Sequence, residues 1–354
     1  MDYVLRRNKG LGALALMLLL AALSLAADAA TLKLATVAPE GSQWMTSMRA
    51  AAAEIKQRTE GRVIIKLYGG GVMGAEKSML RKMRIGQLQG GAFVASGLAP
   101  VYPAINIYSL PLVYRSLEEI EYVREKMDDR LIKGMEEQGL ISFGFAGGGF
   151  ANILSNIPVR SLADLKGQKV WVPEGDTIGY EAMQAFGLSP VSLPLTDVMT
   201  GLQTGLIDIV ATSPVGAVVF QWYTKVKYTT RLPVVYVFAT MVVDAKAFGK
   251  LSAADQAVVR EVMARTYKGF DEQSVPDNVG AYEALLANGI EEVVPDEAAV
   301  ANLWQRGSSV ARGMAERNVV EPGAYAEVEG LLADFRAKAD EPGKPANPEP
   351  QPAR

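Results

Sequence analysis

Leu162-Ala-Asp-Leu-Lys-Gly-Gln-Lys-Val-Trp-Val-Pro-Glu174, running on to Leu202-Gln-Thr-Gly-Leu-Ile-Asp-Ile-Val-Ala-Thr-Ser-Pro214, is the stretch whose reading decides the fold. It predicts a short helix, a strand at Lys169–Val172, a helix, a strand near Val191–Leu193, a further helix and a third strand at Ile207–Ala211. Lys166-Gly167 and Thr204-Gly205 punctuate the ends of its helices. Strands that alternate with helices at this spacing form an open α/β sheet.

The same alternation continues upstream. Thr31–Val37 reads as a strand, and Pro39-Glu40-Gly41-Ser42 supplies a turn and a helix cap. In the next helix Trp44, Met45, Met48, Ala51, Ala52 and Ile55 share one face of a 3.6-residue period. A β-branched strand at Arg62–Tyr68, a helix at Glu76–Ile85 and a fully apolar strand at Ala92–Ala95 follow. Such a strand predicts a parallel sheet covered on both faces. A helix at Leu117–Glu137 and a strand at Leu140–Phe145 complete this part.

Gly86 followed by Ala92–Ser96 is echoed by Gly205 followed by Ile207–Ser213. Each unit is a glycine-stopped helix, a buried strand and a small polar residue at the strand's carboxyl end, where open α/β sheets bind ligands. The echo implies two related lobes, although glycine-stopped helices occur in any α/β protein. Downstream, Arg231–Val243 reads as a long apolar strand crossing back between lobes. Ser252 caps a helical region reaching about Asn288, which Pro276 should kink or break. Helices are expected at Asp296–Arg317 and Pro322–Lys338, and the tail 339–354, with five of the chain's 18 prolines, should be disordered.

Composition narrows the chemistry. The 354 residues exceed one typical domain, and a chain 49% hydrophobic and 21% charged suits a soluble protein with a large core. A formal charge of −3 gives no electrostatic case for nucleic acid. The absence of cysteine excludes disulfides, thiolate zinc sites and a lipid-modified N-terminal cysteine. The absence of histidine excludes His-dependent triads and His-ligated metals. No cofactor is implied. Arg6, Arg7 and Lys9, the apolar run Leu11–Leu25 and Ala27-Asp28-Ala29 form the three parts of a secretory signal, cleaved near Ala29. The apolar run is shorter than the ~20 residues a spanning helix needs.

Individual motifs are weaker. Gly69–Gly71 and Gly147–Gly149 lack the flanking residues of a phosphate loop; turns and close backbone approach explain them, and the second run also suits a hinge or cleft lining. Glu118-Glu119 and Asp128-Asp129 are adjacent in a helix and point in different directions, so they are solvated charge rather than an acid/base pair. Trp171, as a tryptophan in a strand, reads as core.

The order and punctuation of 162–214 resemble the solute-binding proteins of TRAP transporters, the tripartite ATP-independent periplasmic importers. The resemblance spans about residues 31–335. It implies a two-lobed α/β periplasmic binding protein fold, type II-like, with a ligand cleft between lobes and a long connecting helical region. Lobe I would be 30–150 with part of 228–250, and lobe II 151–227 with part of 251–338. The resemblance also implies hinge closure over a ligand, delivery to a membrane permease, and no enzymatic activity. Where the family's strand after Leu-Lys-Gly carries a carboxylate-clamping arginine, this chain has Trp171, and a second family arginine is replaced by Ala151 after Phe150.

The family pattern places Trp171 facing the cleft, with Phe150, Asn152, Trp44 and Trp222 as aromatic or polar neighbours. Thr212 and Ser213 match the segment of a third family anchor, and Trp222-Tyr223 match a Lys-Leu-Tyr segment. Ser96, Glu174 and Asp176 lie at strand ends. Glu76 sits either as a stabilising first-turn acid or at the polar position of the family's Gly-Gly-Glu-Arg-Glu segment. Without the arginines the expected ligand is uncharged, apolar or cationic. A branch of the family that also lacks the arginine is associated with tetratricopeptide-repeat partners. The alternatives are an organic-acid receptor with a different anchor, or a ligand sensor or scaffold that has lost transport.

Overall fold

The computed structural model describes residues 29–339. The expected signal segment up to residue 28 and the tail from 340 lie outside them. In chain order the elements are β1 (Ala30–Ala35), α1 (Gln43–Arg58), β2 (Val63–Tyr68), α2 (Glu76–Arg84), β3 (Gly90–Val94), α3 (Ala95–Leu98), α4 (Leu117–Glu137), β4 (Leu140–Ser142), β5 (Ala146–Phe150) and β6 (Asn152–Ser155). The chain continues through β7 (Trp171–Pro173), α5 (Thr177–Ala185), β8 (Val191–Leu193), α6 (Val198–Thr204), β9 (Ile209–Thr212), α7 (Pro214–Val219), β10 (Tyr228–Thr230) and β11 (Tyr236–Asp244). It closes with α8 (Ala245–Phe248), α9 (Ala253–Ala287), β12 (Glu291–Val293), α10 (Glu297–Glu316) and α11 (Pro322–Ala339).

The strands divide between two lobes. Lobe I holds a sheet in the order β2-β1-β3-β11-β4, with β5 also paired to β11. Its β1, β2 and β3 are parallel, as the apolar run at β3 predicts, but β11 runs antiparallel to β3, so the sheet is mixed. Lobe II holds the sheet β12-β10-β6-β9 and the parallel pair β7-β8, joined to β9 through a bridge from Val170 to Ile209. Met45, Met48, Ala51 and Ile55 are the buried face of α1, on the predicted period, and Ser42 caps it by accepting from Met45 N–H. Gly86 and Gly205 both take positive φ at the stops before β3 and β9, the backbone that glycine adopts without strain.

The chain crosses between lobes at several points. One is the step from β5 to β6, with only Ala151 between them. Its return is 231–235, which the sequence predicts as the start of a long strand. The observed strand begins only at Tyr236. Pro233 has no N–H to give a ladder, and the crossover pairs singly instead, Ala151 N–H to Val235 O (2.9 Å) and Val234 N–H to Ala151 O (3.2 Å). The third crossing is α9, whose first half buries Val259, Val262, Met263 and Tyr267 on lobe I and whose last turns bury Leu285 in the lobe II core.

Of the kink or break expected at Pro276, the break does not occur, and α9 stays helical through it. Proline's φ is already helical, and the one carbonyl it leaves unbonded, at Glu272, lies on an exposed part of the helix where water reaches it. A fourth crossing links α10, packed on α5, to α11, packed on α4. Leu112, held at φ 57°, presses directly on Gly307 of α10. A Cβ at Gly307 would stand 2.4 Å from Leu112 Cβ and 2.7 Å from its carbonyl oxygen, so backbone would have to move. Gly307→Ala should therefore destabilise the protein by about 1–3 kcal/mol in denaturant unfolding, whereas Gly313→Ala, whose nearest neighbour is an arginine tip at 3.5 Å, should not.

Candidate functional site: the cleft between the lobes

A cavity of about 580 Å³ opens between the lobes, within the size range of small-molecule sites. Lobe I contributes Val37, the α2 face with Glu76, Leu80 and Arg81, and Val94, Ser96 and Gly97 at the carboxyl end of β3. Lobe II contributes Pro173 to Gly175 after β7, and Pro194 and Leu195 after β8. These are strand ends, where the sheet's loops converge. The walls touch at the mouth: Lys77 Nζ pairs with Glu174 Oε1 at 3.2 Å across the lobes, and both side chains are solvent-exposed. Such an exposed pair contributes little stability.

Glu76 is the first residue of α2, and its Oε1 accepts from Val94 N–H at 2.9 Å. Its other oxygen packs on Gly97, where a Cβ would sit only 2.3 Å away. Gly97 therefore leaves room for the carboxyl. Burial pushes this carboxyl up to about 7, opposed only by the Val94 N–H. Among the described residues no cation stands close enough to hold it down. Ser96, nearly buried, lines the same wall.

Of the side chains singled out by sequence, Glu76, Ser96 and Glu174 converge on this cavity. Trp171 does not. It is 5% exposed and packs in the lobe II core edge-to-face against Trp222, with ring centroids 5.3 Å apart. Its indole N–H donates to Leu193 O at 3.0 Å. The physical reason is that Val170, Trp171 and Val172 are all buried, and an indole with a backbone acceptor in reach gains more from core packing than from a wet cleft wall. Trp222, 1% exposed, is core as well, and Tyr223 is half-buried against the same cluster.

Trp44 stacks on Phe270 between α1 and α9, at the lobe I core. Phe150 is half-buried against Tyr236, and Ala151 is fully buried. Asn152 pairs with Thr212 across β6 and β9, and Ser213 caps α7 by accepting from Gly216 N–H. Phe150, Asn152, Thr212 and Ser213 thus gather at the crossover rather than around the cavity. Asp176 caps α5, accepting from Gly179 N–H at 2.8 Å.

Residues 34–318 match the family described as bacterial extracellular solute-binding protein, family 7. The chain belongs to this family. A solute-binding protein of Roseobacter denitrificans is 26% identical over 81% of this chain and 95% of its own length. The 2,3-diketo-L-gulonate-binding periplasmic protein of Escherichia coli is 27% identical over 44% of this chain and 47% of its own. An extracytoplasmic solute receptor of Bordetella pertussis binding pyroglutamic acid superposes with a TM-score of 0.79 at 20% identity, covering 86% of this chain and all of that one. A TRAP periplasmic receptor of Desulfovibrio salexigens with bound orotic acid gives 0.77 at 19% identity, over 87% of this chain and 99% of that one.

The family 7 receptors are extracytoplasmic solute-binding proteins of TRAP systems, which work with membrane permease components, and not enzymes. Among the described residues no helix is long and apolar enough to cross a membrane.

Sequence reasoning passed over the basic edge of the cavity. Lys77, Arg81 and Arg84 recur at i, i+4 and i+7 along α2 and line its mouth. That spacing was available in the sequence, but nothing local says that this face of the helix looks across a cleft.

Two outcomes follow from these positions. Trp171→Ala should lower stability by about 3–5 kcal/mol in chemical unfolding, as loss of a buried aromatic does. The Glu76 carboxyl titrates higher in the folded chain than its ordinary 4.5, so folding takes up a proton and stability falls as pH rises from about 4.5 to about 7. Glu76→Gln should thus raise the melting temperature by on the order of 2–8 °C at pH about 8 and leave it unchanged at pH about 4, read by scanning calorimetry.

Proposed function

We infer that this chain is a periplasmic receptor that captures a small, uncharged or largely apolar solute between its lobes and passes it to a TRAP membrane permease. The observation that carries the reading is Glu76. It is an acid fixed on the wall that Ser96 also lines, and no cation stands beside it among the described residues. A carboxylate ligand brought against it would either meet like charge or hold the acid in its protonated form, and an unpaired buried charge there costs several kcal/mol. A hydroxyl, amide or amine of the ligand would instead donate to it. Val37, Leu80, Val94, Pro100, Pro173, Pro194 and Leu195 supply apolar walls around it. The positions where the family resemblance puts arginines hold buried Ala151 and core-packed Trp171. Export by the N-terminal segment, with cleavage near Ala29, completes the reading, and a tetratricopeptide-repeat partner belongs to it as the accessory associated with that branch of the family.

One observation favours a second reading, an organic-acid receptor with a different anchor. The exposed Arg81 and Arg84 stand at the cavity mouth beside Lys77, and relatives of this fold bind pyroglutamic and orotic acids. Native mass spectrometry of the exported protein should release a neutral or apolar small molecule, and titration calorimetry with pyroglutamate, orotate and D-glucuronate should give no heat of binding. Micromolar binding of any of these acids, abolished in Arg81→Gln/Arg84→Gln, would establish the second reading and remove the first.

A further inference from the structure

Asn278 sits on α9 where the helix passes the β5–β6 crossover, and its amide bonds in two directions. Nδ2 donates to Gly148 O of β5 at 3.0 Å and to Ser274 O one turn back at 2.8 Å. Oδ1 accepts from Val215 N–H of α7, in lobe II, at 3.3 Å. The orientation of the amide is fixed by its surroundings, since the flipped form would set its oxygen against two carbonyls and its NH2 against an N–H. The Val215 N–H is a first-turn donor that α7 leaves without a helical partner, just as Ser213 Oγ takes the next one from Gly216. Gly149, at φ 80°, makes the approach possible, because a Cβ there would lie 2.9 Å from Asn278 Nδ2.

Seven residues earlier on the same face of α9, Asp271 also reaches the glycine strand. It accepts from Gly147 N–H at 2.9 Å and from Arg124 Nη1 at 2.6 Å. Both of its partners belong to lobe I or its edge. Asp271 therefore fastens the helix to one lobe, whereas Asn278 joins the crossover to the other. The bond to Val215 is the longest of the Asn278 set and the only one of them that crosses to lobe II.

We propose that Asn278 is a positioning residue for lobe closure, its Oδ1–Val215 N–H bond holding lobe II at the separation seen here. When that bond is lost, α7 and the β9 end it caps are free to turn about the Ala151 crossover. The population of the arrangement that completes the cavity then changes. Solute affinity changes with it, since the apparent affinity scales with the fraction of binding-competent receptor. The proposal concerns the motion and is independent of which solute the cavity takes.

The chain has no cysteine, so spin labels at Lys66→Cys in lobe I and Lys166→Cys in lobe II, both exposed, report the interlobe distance without a background label. Pulsed dipolar spectroscopy on ligand-free protein refolded from denaturant should show one narrow distance distribution in the parent. Asn278→Ala should broaden it or add a second population, with a melting temperature within a few degrees of the parent because alanine favours helix. Asn278→Asp, read at pH about 4 where the protonated carboxyl can accept from Val215 N–H and donate to Gly148 O, should restore the parent distribution. An alanine variant whose distances superimpose on the parent's, or one that no longer folds, overturns the proposal, as does an aspartate variant that behaves like alanine. Because no solute is added, these outcomes leave the ligand reading untouched, and failure of the ligand reading leaves them untouched in turn.

Discussion

The close approach of one long helix to the three consecutive glycines of a strand, Gly147–Gly149, is the constraint from which the rest of the architecture follows. Helix α9 lies against β5, and the side chains of Asp271 and Asn278 bond to the backbone of Gly147 and Gly148. A Cβ at Gly147 would fall 2.4 Å from the Tyr236 hydroxyl and 2.7 Å from Asp271 Oδ1. Any side chain there would push helix and strand apart. The β5–β6 step and its return at 231–235 join the lobes through single extended segments, and the helix gives both lobes a common support.

Behind that strand lies a polar network that fixes the lobe I end of the support. Arg124 of α4, almost fully buried, pairs with Asp271 of α9 and Asp128 one turn along α4, and donates to the Tyr236 hydroxyl of β11. The Tyr108 hydroxyl donates to Asp128 at 2.6 Å. Removing Arg124 would leave Asp128 and Asp271 without the cation they share, which costs more than the loss of a surface pair. The network ties α4, α9 and β11 into one body, so relative motion falls on the crossover beyond it, at Ala151 and Val234–Val235.

The cleft follows a different electrostatic logic from a carboxylate clamp. A guanidinium that grips a carboxylate needs a long side chain reaching from a strand end into the cavity. At that strand this chain carries an indole, which turns the other way, into Trp222 and the Leu193 carbonyl. What remains fixed on the cavity wall is the acid at the start of α2, kept there by the Val94 N–H and the space over Gly97. The basic side chains are displaced to the rim, where water screens them.

Sequence alone determined the elements of this protein and the family they belong to. Helix periodicity, glycine stops and caps such as Ser42 and Ser252 are written within a few residues of chain, and the helix at Leu117–Glu137 and the strand at Val191–Leu193 fall on their predicted bounds. Tertiary structure decided which face of each element looks into the cleft. A strand residue has two faces to choose between, and for Trp171 the choice rested on Trp222 and Leu193, 51 and 22 residues away in sequence. Glu76 read equally as a first-turn acid or a ligand contact until β3 brought Val94 and Gly97 against it. The persistence of helix through Pro276 and the reach of Asn278 to two lobes likewise depend on packing at both ends of α9. Local preference fixes backbone form over a turn or two, whereas the direction of a side chain is set by whatever the rest of the chain brings beside it.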